Sequence, residues 1–496
     1  AAGGGSPFLF ELLNCPAHRM VRNQQKAVSV GMKQLSLRLI VDVLQGELQR
    51  DAGQGIVANV VASSQKLTPG ALLFDLPRRR QLRTRPDLPR TAFAVVTDRP
   101  LYWAGLEGDF TIIRVPEIRE AYWRFVDYYR NLFSIPVIGV TGTCGKTTTK
   151  EMIRHILAGS GRVIATYKSN NALSRNLGYL LEIDEETQAA VFEMGVAFPG
   201  DLEISCRYFK PQVGVVTNIG VDHLSGFGTL EAYIKAKAKI VEGLNYRGKL
   251  ILNADDENSR RIDLSRFQGE VVTFGAGDQA HFRIADLRHQ TRGISFRLEH
   301  QGRCYRLSIP GHGEFNALNA AAAIAAVHSL DFPVAEAVER LQSFQNVEKH
   351  FEFKPGINGS VIIDDTWSTN PTSVEAAAKL LKNLAHGRKT IAVLGKMALL
   401  GKESDNYHRK TGEKVGALGI DWLVVVGEGA EEIGRGAIAS GMSEDRVYFC
   451  RDLVQTCQVL KKLLDNQTIA LVKTSMLASF GDLIAKITRL SENEGE

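Results

Sequence analysis

The chain has 496 residues, of which 44% are hydrophobic, 23% charged and 8% aromatic. This length exceeds what one hydrophobic core serves and predicts about three domains, and the composition excludes a disordered or small disulfide-stapled protein. The net charge of +5 is too small to predict a nucleic-acid-binding protein.

Six cysteines are scattered without a CxxC pair or a Cys/His ligand spacing, which predicts reduced thiols in a cytoplasmic protein. The purest apolar run, Ala320 to Val327, is far shorter than the roughly 20 residues of a membrane helix, so we expect no membrane insertion. Residues 1–31 lack the order of a secretory signal, and we expect an upstream extension or a remnant of cloning.

Short β-branched runs alternate with helical stretches from about residue 136 onward, which predicts βαβ units and a parallel sheet. A second such series after about residue 345 predicts a Rossmann-like sheet. Between Gly269 and Pro310 the alternation of apolar and polar residues predicts an antiparallel patch. The expected fold class is α/β with a small N-terminal α/β domain, a central parallel-sheet domain and a C-terminal Rossmann-like domain. We place these domains at 32–115, 116–345 and 346–496.

A glycine-containing loop runs straight from the predicted strand PVIGV into a predicted helix. Small residues let backbone N–H groups close around phosphate oxygens, a lysine offsets the phosphate charge, and a hydroxyl binds Mg²⁺. Gly142, Gly145, Lys146 and Thr147 supply these groups. The strict GxxxxGK[ST] pattern would need glycine where Val140 stands, but the strand–loop–helix context favours a phosphate loop over an ordinary glycine turn.

A lysine interrupts the inward face of a predicted helix that begins after Thr229. The apolar positions at helical spacing leave one gap, and Lys237 fills it, whereas Lys235 and Lys239 face solvent. A buried ammonium must meet an anion or lose its proton, and the neutral amine can take up CO₂ as a carbamate. The alternative is a packed stem whose ammonium reaches solvent.

Two further side chains follow predicted strands at the carboxyl edge of the central sheet, where parallel sheets bind ligands. Glu193 ends the strand AAVFE, and His223 follows the strand VGVV. With the Thr147 hydroxyl they could hold Mg²⁺ beside a nucleotide phosphate. Taken singly, Glu193 and His223 are each more often structural than functional. Their position near a predicted phosphate loop makes the functional interpretation the favoured one.

Several motifs together resemble the Mur ligase family over about 117–490: GVTGTCGKTTTK, SNN, EMG, TNIGVDHL with AKAK downstream, GEFNALNAAAAIAA and DDTWSTNPTS. The resemblance implies that ATP converts a substrate carboxylate to an acyl phosphate, which an amine attacks to give an amide, ADP and phosphate. The chain is most similar to the member that adds D-alanyl-D-alanine to UDP-N-acetylmuramoyl-tripeptide in peptidoglycan precursor synthesis. The N-terminal domain would then bind the UDP-type substrate and the central domain ATP.

The resemblance also implies roles for residues that match the family motifs. The catalytic residues would be Lys146, Glu193, His223 and Lys237. Magnesium would be held by Thr147, Glu193, His223 and a carbamylated Lys237. ATP would be bound by Thr143, Gly145, Lys146, Thr147, Thr148, Asn319 at the adenine, His350, and Asp365 near the ribose. The substrates would be bound by Ser169, Asn170, Asn171 and Asn370.

The sequence departs from the family at positions that are expected to bind the acid substrate and the amine substrate. Gln65 replaces an arginine that reads the UDP sugar, and an Asp-Gly-His segment is missing. Phe315 replaces a histidine, and His350 stands where an arginine normally reaches the phosphates. Lys396 and Ala398 occupy positions that are acidic in the family. A loop with six arginines between 78 and 90 either binds an acidic part of the substrate or is a solvated basic loop.

The hypotheses are therefore three. The first is an ATP-dependent amide ligase acting on small-molecule acid and amine substrates, either the UDP-sugar peptide with a dipeptide or another pair. The second is a P-loop phosphotransferase or NTPase switch, in which Lys237 and Asn319 have no role. The third is a non-catalytic scaffold. We expect a cytoplasmic monomer without nucleic-acid partners.

Overall fold

The computed structural model describes residues 32–62, 64–76, 88, 92–172, 178–290, 293–475 and 481–488. The expected extension at 1–31 and all six arginines of the basic loop lie outside the described residues. Within the described ranges, no helix is long and apolar enough to cross a membrane.

The N-terminal part contains a sheet with the strand order β2-β7-β6-β5-β4, in which β4 to β7 are parallel and β2 is antiparallel to β7. A separate pair joins β1 to β3. The strands are β1 Leu35–Ser36, β2 Glu47–Arg50, β3 Ile56–Val57, β4 Asn59–Val61, β5 Ala71–Phe74, β6 Phe93–Thr97 and β7 Phe110–Arg114, and the helices are α1 Leu37–Leu44 and α2 Pro100–Ala104.

The helix α3, Ile118–Asn131, connects this sheet to the central one. Its Phe125 ring lies 5.6 Å from the Phe74 ring of β5. The same hydrophobic cluster continues through Tyr129 to Phe192 of the central sheet. The N-terminal and central parts therefore share one core.

The central part is a nine-stranded sheet with the order β16-β15-β14-β13-β12-β11-β8-β10-β9. Its strands are β8 Val137–Thr141, β9 Arg162–Ala165, β10 Thr187–Glu193, β11 Val213–Val216, β12 Lys249–Asn253, β13 Glu270–Gly275, β14 Phe282–Gln290, β15 Gly293–His300 and β16 Arg303–Ile309. Its helices are α4 Lys146–Ala158, α5 Asp201–Phe209, α6 Leu224–Phe227, α7 Leu230–Ala238, α8 Ile240–Gly243, α9 Glu314–His328 and α10 Val334–Leu341. Because β8 lies between β10 and β11, the carboxyl ends of these three strands meet at one edge.

The expected antiparallel patch needs a correction. The strands β14, β15 and β16 are antiparallel to one another, as predicted. However, β13 pairs in parallel with β12, and β14 pairs in parallel with β13, so the patch extends the central sheet. An alternation of apolar and polar residues indicates that one face of a strand is buried. It does not indicate whether the neighbouring strand is parallel or antiparallel.

The C-terminal part is a second sheet with the order β17-β18-β22-β19-β20-β21, parallel except for β17. Its strands are β17 Glu352–Pro355, β18 Val361–Asp365, β19 Lys389–Gly395, β20 Trp422–Val426, β21 Val447–Cys450 and β22 Thr468–Lys473. Its helices are α11 Pro371–Leu384, α12 Ser404–Ala417, α13 Glu431–Ala439, α14 Leu453–Leu463 and α15 Gly481–Thr488. The predicted α/β class with three sheet-based parts is confirmed.

Candidate active site

The phosphate loop connects β8 to α4, as the sequence predicts. Gly142 has a φ of +142°, and a Cβ at this position would lie 2.0 Å from Thr217 Oγ1. Gly145 has a φ of +79° and is the N-cap residue of α4. Because glycine has no side chain, this residue leaves the N–H groups of the first helical turn uncapped, and the positive end of the helix dipole faces the loop. Such an end binds phosphate oxygens.

The segment after β11 holds the phosphate loop in place. The backbone N–H groups of Thr143 and Cys144 donate to the backbone oxygen and the side-chain oxygen of Asn218, at 2.9 and 3.0 Å. Thr217 Oγ1 donates to the Cys144 carbonyl at 2.6 Å. The Gly220 N–H donates to Thr143 Oγ1 at 2.9 Å. These contacts connect the phosphate loop to the segment after β11 and hold its backbone.

Lys146 opens α4, and its Nζ donates to the Thr143 carbonyl at 2.9 Å. Its side chain therefore folds back over the loop that it belongs to. The neighbouring Thr147 and Thr148 are both buried in the first turn of the helix. The Lys146 ammonium therefore lies at the loop, and two buried threonines follow it in the first turn of the helix.

A buried carboxylate meets the phosphate loop at the end of β10. Thr147 Oγ1 donates to Glu193 Oε2 at 2.9 Å, and Asn171 Nδ2 donates to Glu193 Oε1 at 2.6 Å. Glu193 is 1% exposed. A tight turn orients the amide, because the Asn171 N–H donates to the Ser169 carbonyl at 2.8 Å, while the Asn170 N–H donates to the Tyr167 carbonyl at 3.0 Å.

Lys237 lies on the inward face of α7, which confirms the interpretation of its helical spacing. It is 1% exposed. Its Nζ donates to the Gly142 carbonyl at 2.9 Å and lies 4.5 Å from the centroid of the Tyr233 ring. Burial, and then the nearby charge of Lys146, hold the pKa of Lys237 well below its ordinary value of 10.5. Both effects shift the equilibrium from the ammonium toward the uncharged amine, relative to a lysine in water.

His223 follows β11 and has a φ of +52°. Its backbone N–H donates to Asp222 Oδ1 at 2.8 Å, and its ring centroid lies 6.3 Å from that of Tyr233. Burial lowers the pKa of His223 below 6.5 and outweighs the opposite effect of the Asp222 carboxylate, while the charge of Lys146 acts in the same direction as burial. The imidazole is therefore neutral near pH 7, which is the form that binds metals.

The candidate ligands form two groups that meet at the phosphate loop. In the first group, Thr147 and Asn171 both donate to Glu193. In the second, Lys237 donates to Gly142, and both Lys237 and His223 lie near the Tyr233 ring. Among the described residues, no three His, Cys, Asp or Glu side chains converge into a metal site of their own.

Asn319 reaches the phosphate loop from α9. Its Oδ1 accepts a hydrogen bond from Thr149 Oγ1 at 3.3 Å, and a Cβ at Gly145 would lie 2.3 Å from this oxygen. The close approach explains why glycine stands at 145. The adenine contact of Asn319 stays a prediction.

Three candidate residues belong to the C-terminal sheet and its linker. The His350 ring stacks on Trp367 at 5.8 Å, and burial lowers the pKa of His350. Asp365 accepts a hydrogen bond from Lys473 Nζ at 2.7 Å. Asn370 begins α11, and its Oδ1 caps the helix by accepting from the Ser373 N–H at 2.9 Å. The nucleotide roles of His350 and Asp365 and the substrate role of Asn370 stay predictions.

The sequence interpretation missed several residues of this site. Asn218 and Asp222 hold the loop and the His223 backbone, and Lys473 pairs with Asp365. Asn218 and Asp222 lie in the TNIGVDHL motif and Lys473 is the last residue of β22, but no local sequence pattern assigns these contacts to them.

Two family models match the chain. The Mur ligase middle domain matches residues 140–327, and the Mur ligase glutamate ligase domain matches residues 351–476. Together they span more than half of the chain.

Individual proteins are similar over most of the chain. The UDP-N-acetylmuramoyl-tripeptide--D-alanyl-D-alanine ligase of Bacillus subtilis (strain 168) is 29% identical over 367 residues, which is 73% of this chain and 78% of that protein. A crystal structure of MurF from Acinetobacter baumannii superposes with a TM-score of 0.81 at 24% identity, covering 92% of this chain and 99% of that one. The MurF ligase of Thermotoga maritima in complex with ADP gives a TM-score of 0.73 at 22% identity, covering 86% and 96%. These structural likenesses establish the fold.

Proposed function

This chain belongs to the Mur ligase family, and we propose that it joins D-alanyl-D-alanine to UDP-N-acetylmuramoyl-tripeptide at the cost of ATP. The observation that carries the proposal is the buried Lys237 amine, hydrogen-bonded to the phosphate loop at Gly142. A nucleotide switch needs the loop but has no use for this lysine. The name of the Bacillus subtilis relative supplies the two substrates.

The proposed reaction has two steps. The γ-phosphoryl group of ATP is transferred to a carboxylate oxygen of the acid substrate, which gives an acyl phosphate and ADP. The amine then attacks the carbonyl carbon, and phosphate leaves as the amide forms. The uncapped first turn of α4 and the Lys146 ammonium would bind the phosphate oxygens and offset their charge.

The residues at the phosphate loop fit a magnesium ion. Mg²⁺ prefers oxygen ligands and keeps contacts to nucleotide phosphates. The hydroxyl of Thr147 and the carboxylate of Glu193 already lie 2.9 Å apart at the loop. We propose that these two oxygens would hold the ion beside the nucleotide phosphates, with His223 as a further ligand, where it would offset negative charge on the phosphates.

We propose further that Lys237 is carbamylated. The amine of Lys237 is buried, and its lowered pKa favours the uncharged form that adds CO₂. A carbamate carries a negative charge, so it suits a site beside a cation, whereas an ammonium would repel one. The Lys237 Nζ donates to the Gly142 carbonyl, which places it at the phosphate loop.

A second candidate is a Mur-type ligase for a different acid and amine. Gln65 stands where the family reads the UDP sugar with an arginine, and Lys396 is an exposed cation at the end of β19 where the family has an acid. These substitutions favour a different acid or amine substrate, because they affect positions that bind the substrates in the family, whereas the phosphate loop keeps the family motif. In either case we expect a cytoplasmic monomer.

The proposal is tested by measuring ADP formation for every combination of a set of candidate acids and a set of candidate amines. We expect ADP in excess over the enzyme only when acid and amine are both present, since the first step alone can give no more than one ADP per enzyme, and we expect it fastest with the UDP-sugar tripeptide and D-alanyl-D-alanine. The Lys146→Ala variant is the control for contaminating ATPases. Turnover that needs neither acid nor amine would indicate a switch, and nucleotide binding without turnover would indicate a scaffold.

A further inference from the structure

The C-terminal domain contacts the segment that carries His223 on both sides of that residue. We call residues 217–225 the His223 loop. Asn370 Nδ2 donates to Asp222 Oδ2 at 3.3 Å, immediately before His223. The Ser225 N–H donates to the Leu399 carbonyl at 2.9 Å, two residues after it.

The packing between the two domains is equally close at the start of this loop. A Cβ at Gly220 would lie 2.2 Å from Thr372 Oγ1 on α11, so only glycine fits against the helix. Gly401 likewise packs on Ser225, where a Cβ would lie 3.2 Å from the backbone. Leu399 has a φ of +65°, which disfavours a leucine, and it makes its contact with the loop from this conformation.

Asn370 is suited to join the two domains because each of its polar atoms has a defined partner. Its Oδ1 accepts the Ser373 N–H at 2.9 Å and the Cys144 thiol at 3.5 Å, so the amide is held in one orientation. Its Nδ2 is thereby directed at Asp222, whose other oxygen accepts the His223 N–H at 2.8 Å. One carboxylate thus connects the C-terminal domain to the His223 backbone.

We propose that Asn370 is a positioning residue: by binding Asp222, it lets the docked C-terminal domain hold His223 at the phosphate loop. The inference deepens the proposed function and rests on it, since it gives His223 a role in turnover. It also gives Asn370 a role through the protein itself, beside the substrate contact that the family resemblance implies.

Exchanging the two side chains tests this proposal. In Asn370→Asp, two carboxylates face each other at the former hydrogen bond and repel, although aspartate caps a helix as well as asparagine does. In Asp222→Asn, two amide donors face each other. In the double variant, the amide introduced at position 222 can accept the His223 N–H with its oxygen and donate with its nitrogen to the carboxylate introduced at position 370. Both original hydrogen bonds are then restored, and the one between the two domains has its polarity reversed.

Two properties of each variant are measured. The first is kcat as a function of the Mg²⁺ concentration, and the second is the rate of hydrogen–deuterium exchange of residues 220–227. We expect each single variant to lower kcat about tenfold, to need more Mg²⁺ and to exchange faster in this segment. The double variant should recover most of both losses. Ser373→Ala, which removes only the second half of the helix cap, is the matched control and should leave the exchange of 220–227 unchanged.

The outcomes separate this inference from the proposed function. A double variant whose loss of kcat equals the product of the two single losses would overturn the proposed role of Asn370. Exchange of residues 220–227 in Asn370→Asp that is as slow as in the wild type would overturn it as well. If the wild-type chain forms no ADP with any acid and amine, the proposed function fails. The exchange measurements then still decide whether Asn370 and Asp222 hold the His223 loop.

Discussion

Thr147 Oγ1 donates a 2.9 Å hydrogen bond to Glu193 Oε2, which ties the first turn of the phosphate-loop helix to the end of a neighbouring strand. The two residues are 46 positions apart in sequence. The parallel order of β8 and β10 brings their carboxyl ends together. This contact joins the phosphate-binding part of the site to its buried carboxylate.

Replacing Thr147 with valine should lower kcat about 100-fold, because the hydroxyl that meets both Glu193 and the proposed Mg²⁺ is lost without a large change in volume. Thr147→Ser keeps the hydroxyl and should retain most activity. Steady-state kinetics over a magnesium titration measure both effects. Equal activity of the valine and serine variants would refute a role for the hydroxyl.

Lys146→Ala should lower kcat about 100- to 1000-fold while the melting temperature stays unchanged. In the part of the chain that the structure describes, the side chain donates only to Thr143 within its own loop, so it offsets phosphate charge and does not support a core. ADP release and thermal unfolding monitored by circular dichroism check the two halves of this prediction. A variant with ordinary rates would contradict the phosphate-loop assignment.

The interior position of Lys237 could be predicted because helical spacing alone decides which side of α7 is buried. The contacts between Asn370 and Asp222 could not, since the two residues are 148 positions apart and no local pattern reports how domains dock. The strands β17 and β21 lie at the two edges of the C-terminal sheet, and short edge strands carry little periodic signal. Their pairing is decided by the neighbours that they meet in the folded sheet.

Lys237→Ala should be nearly inactive, and added short carboxylates should restore part of the activity by occupying the space of the carbamate. Lys237→Glu should keep some activity because its carboxylate replaces the anionic group on a shorter stem. Lys235→Ala, on the exposed side of the same helix, is the control and should behave as wild type. Carbon-13 NMR of protein equilibrated with labelled CO₂ should show the carbamate. Wild-type activity in Lys237→Ala would dispose of this role.

The pH dependence of stability should contain a contribution from His312, which packs 4.5 Å from the Phe353 ring at the boundary of the C-terminal sheet. Burial, and then the charge of His289, lower the pKa of His312 from 6.5 to about 4. Between these values the unfolded chain binds the proton and the folded chain does not, so stability falls as the pH falls from 6.5.

The neutral variant His312→Gln isolates this contribution. Relative to it, the wild type should lose about 2 kcal/mol of unfolding free energy between about pH 7 and about pH 5. Urea unfolding of both proteins at the two pH values measures the difference. An identical pH response of the two proteins would show that His312 does not titrate in this way.

The transfer of an oxygen atom tests the ligase account most directly. The acid substrate is prepared with oxygen-18 in its carboxylate and incubated with the enzyme, ATP and the amine, and the released phosphate is analysed by mass spectrometry. Phosphorylation of the carboxylate followed by amine attack predicts that each phosphate carries one labelled oxygen from the acid. Phosphate free of the label would contradict the account, because it would mean that ATP is hydrolysed without activating the acid.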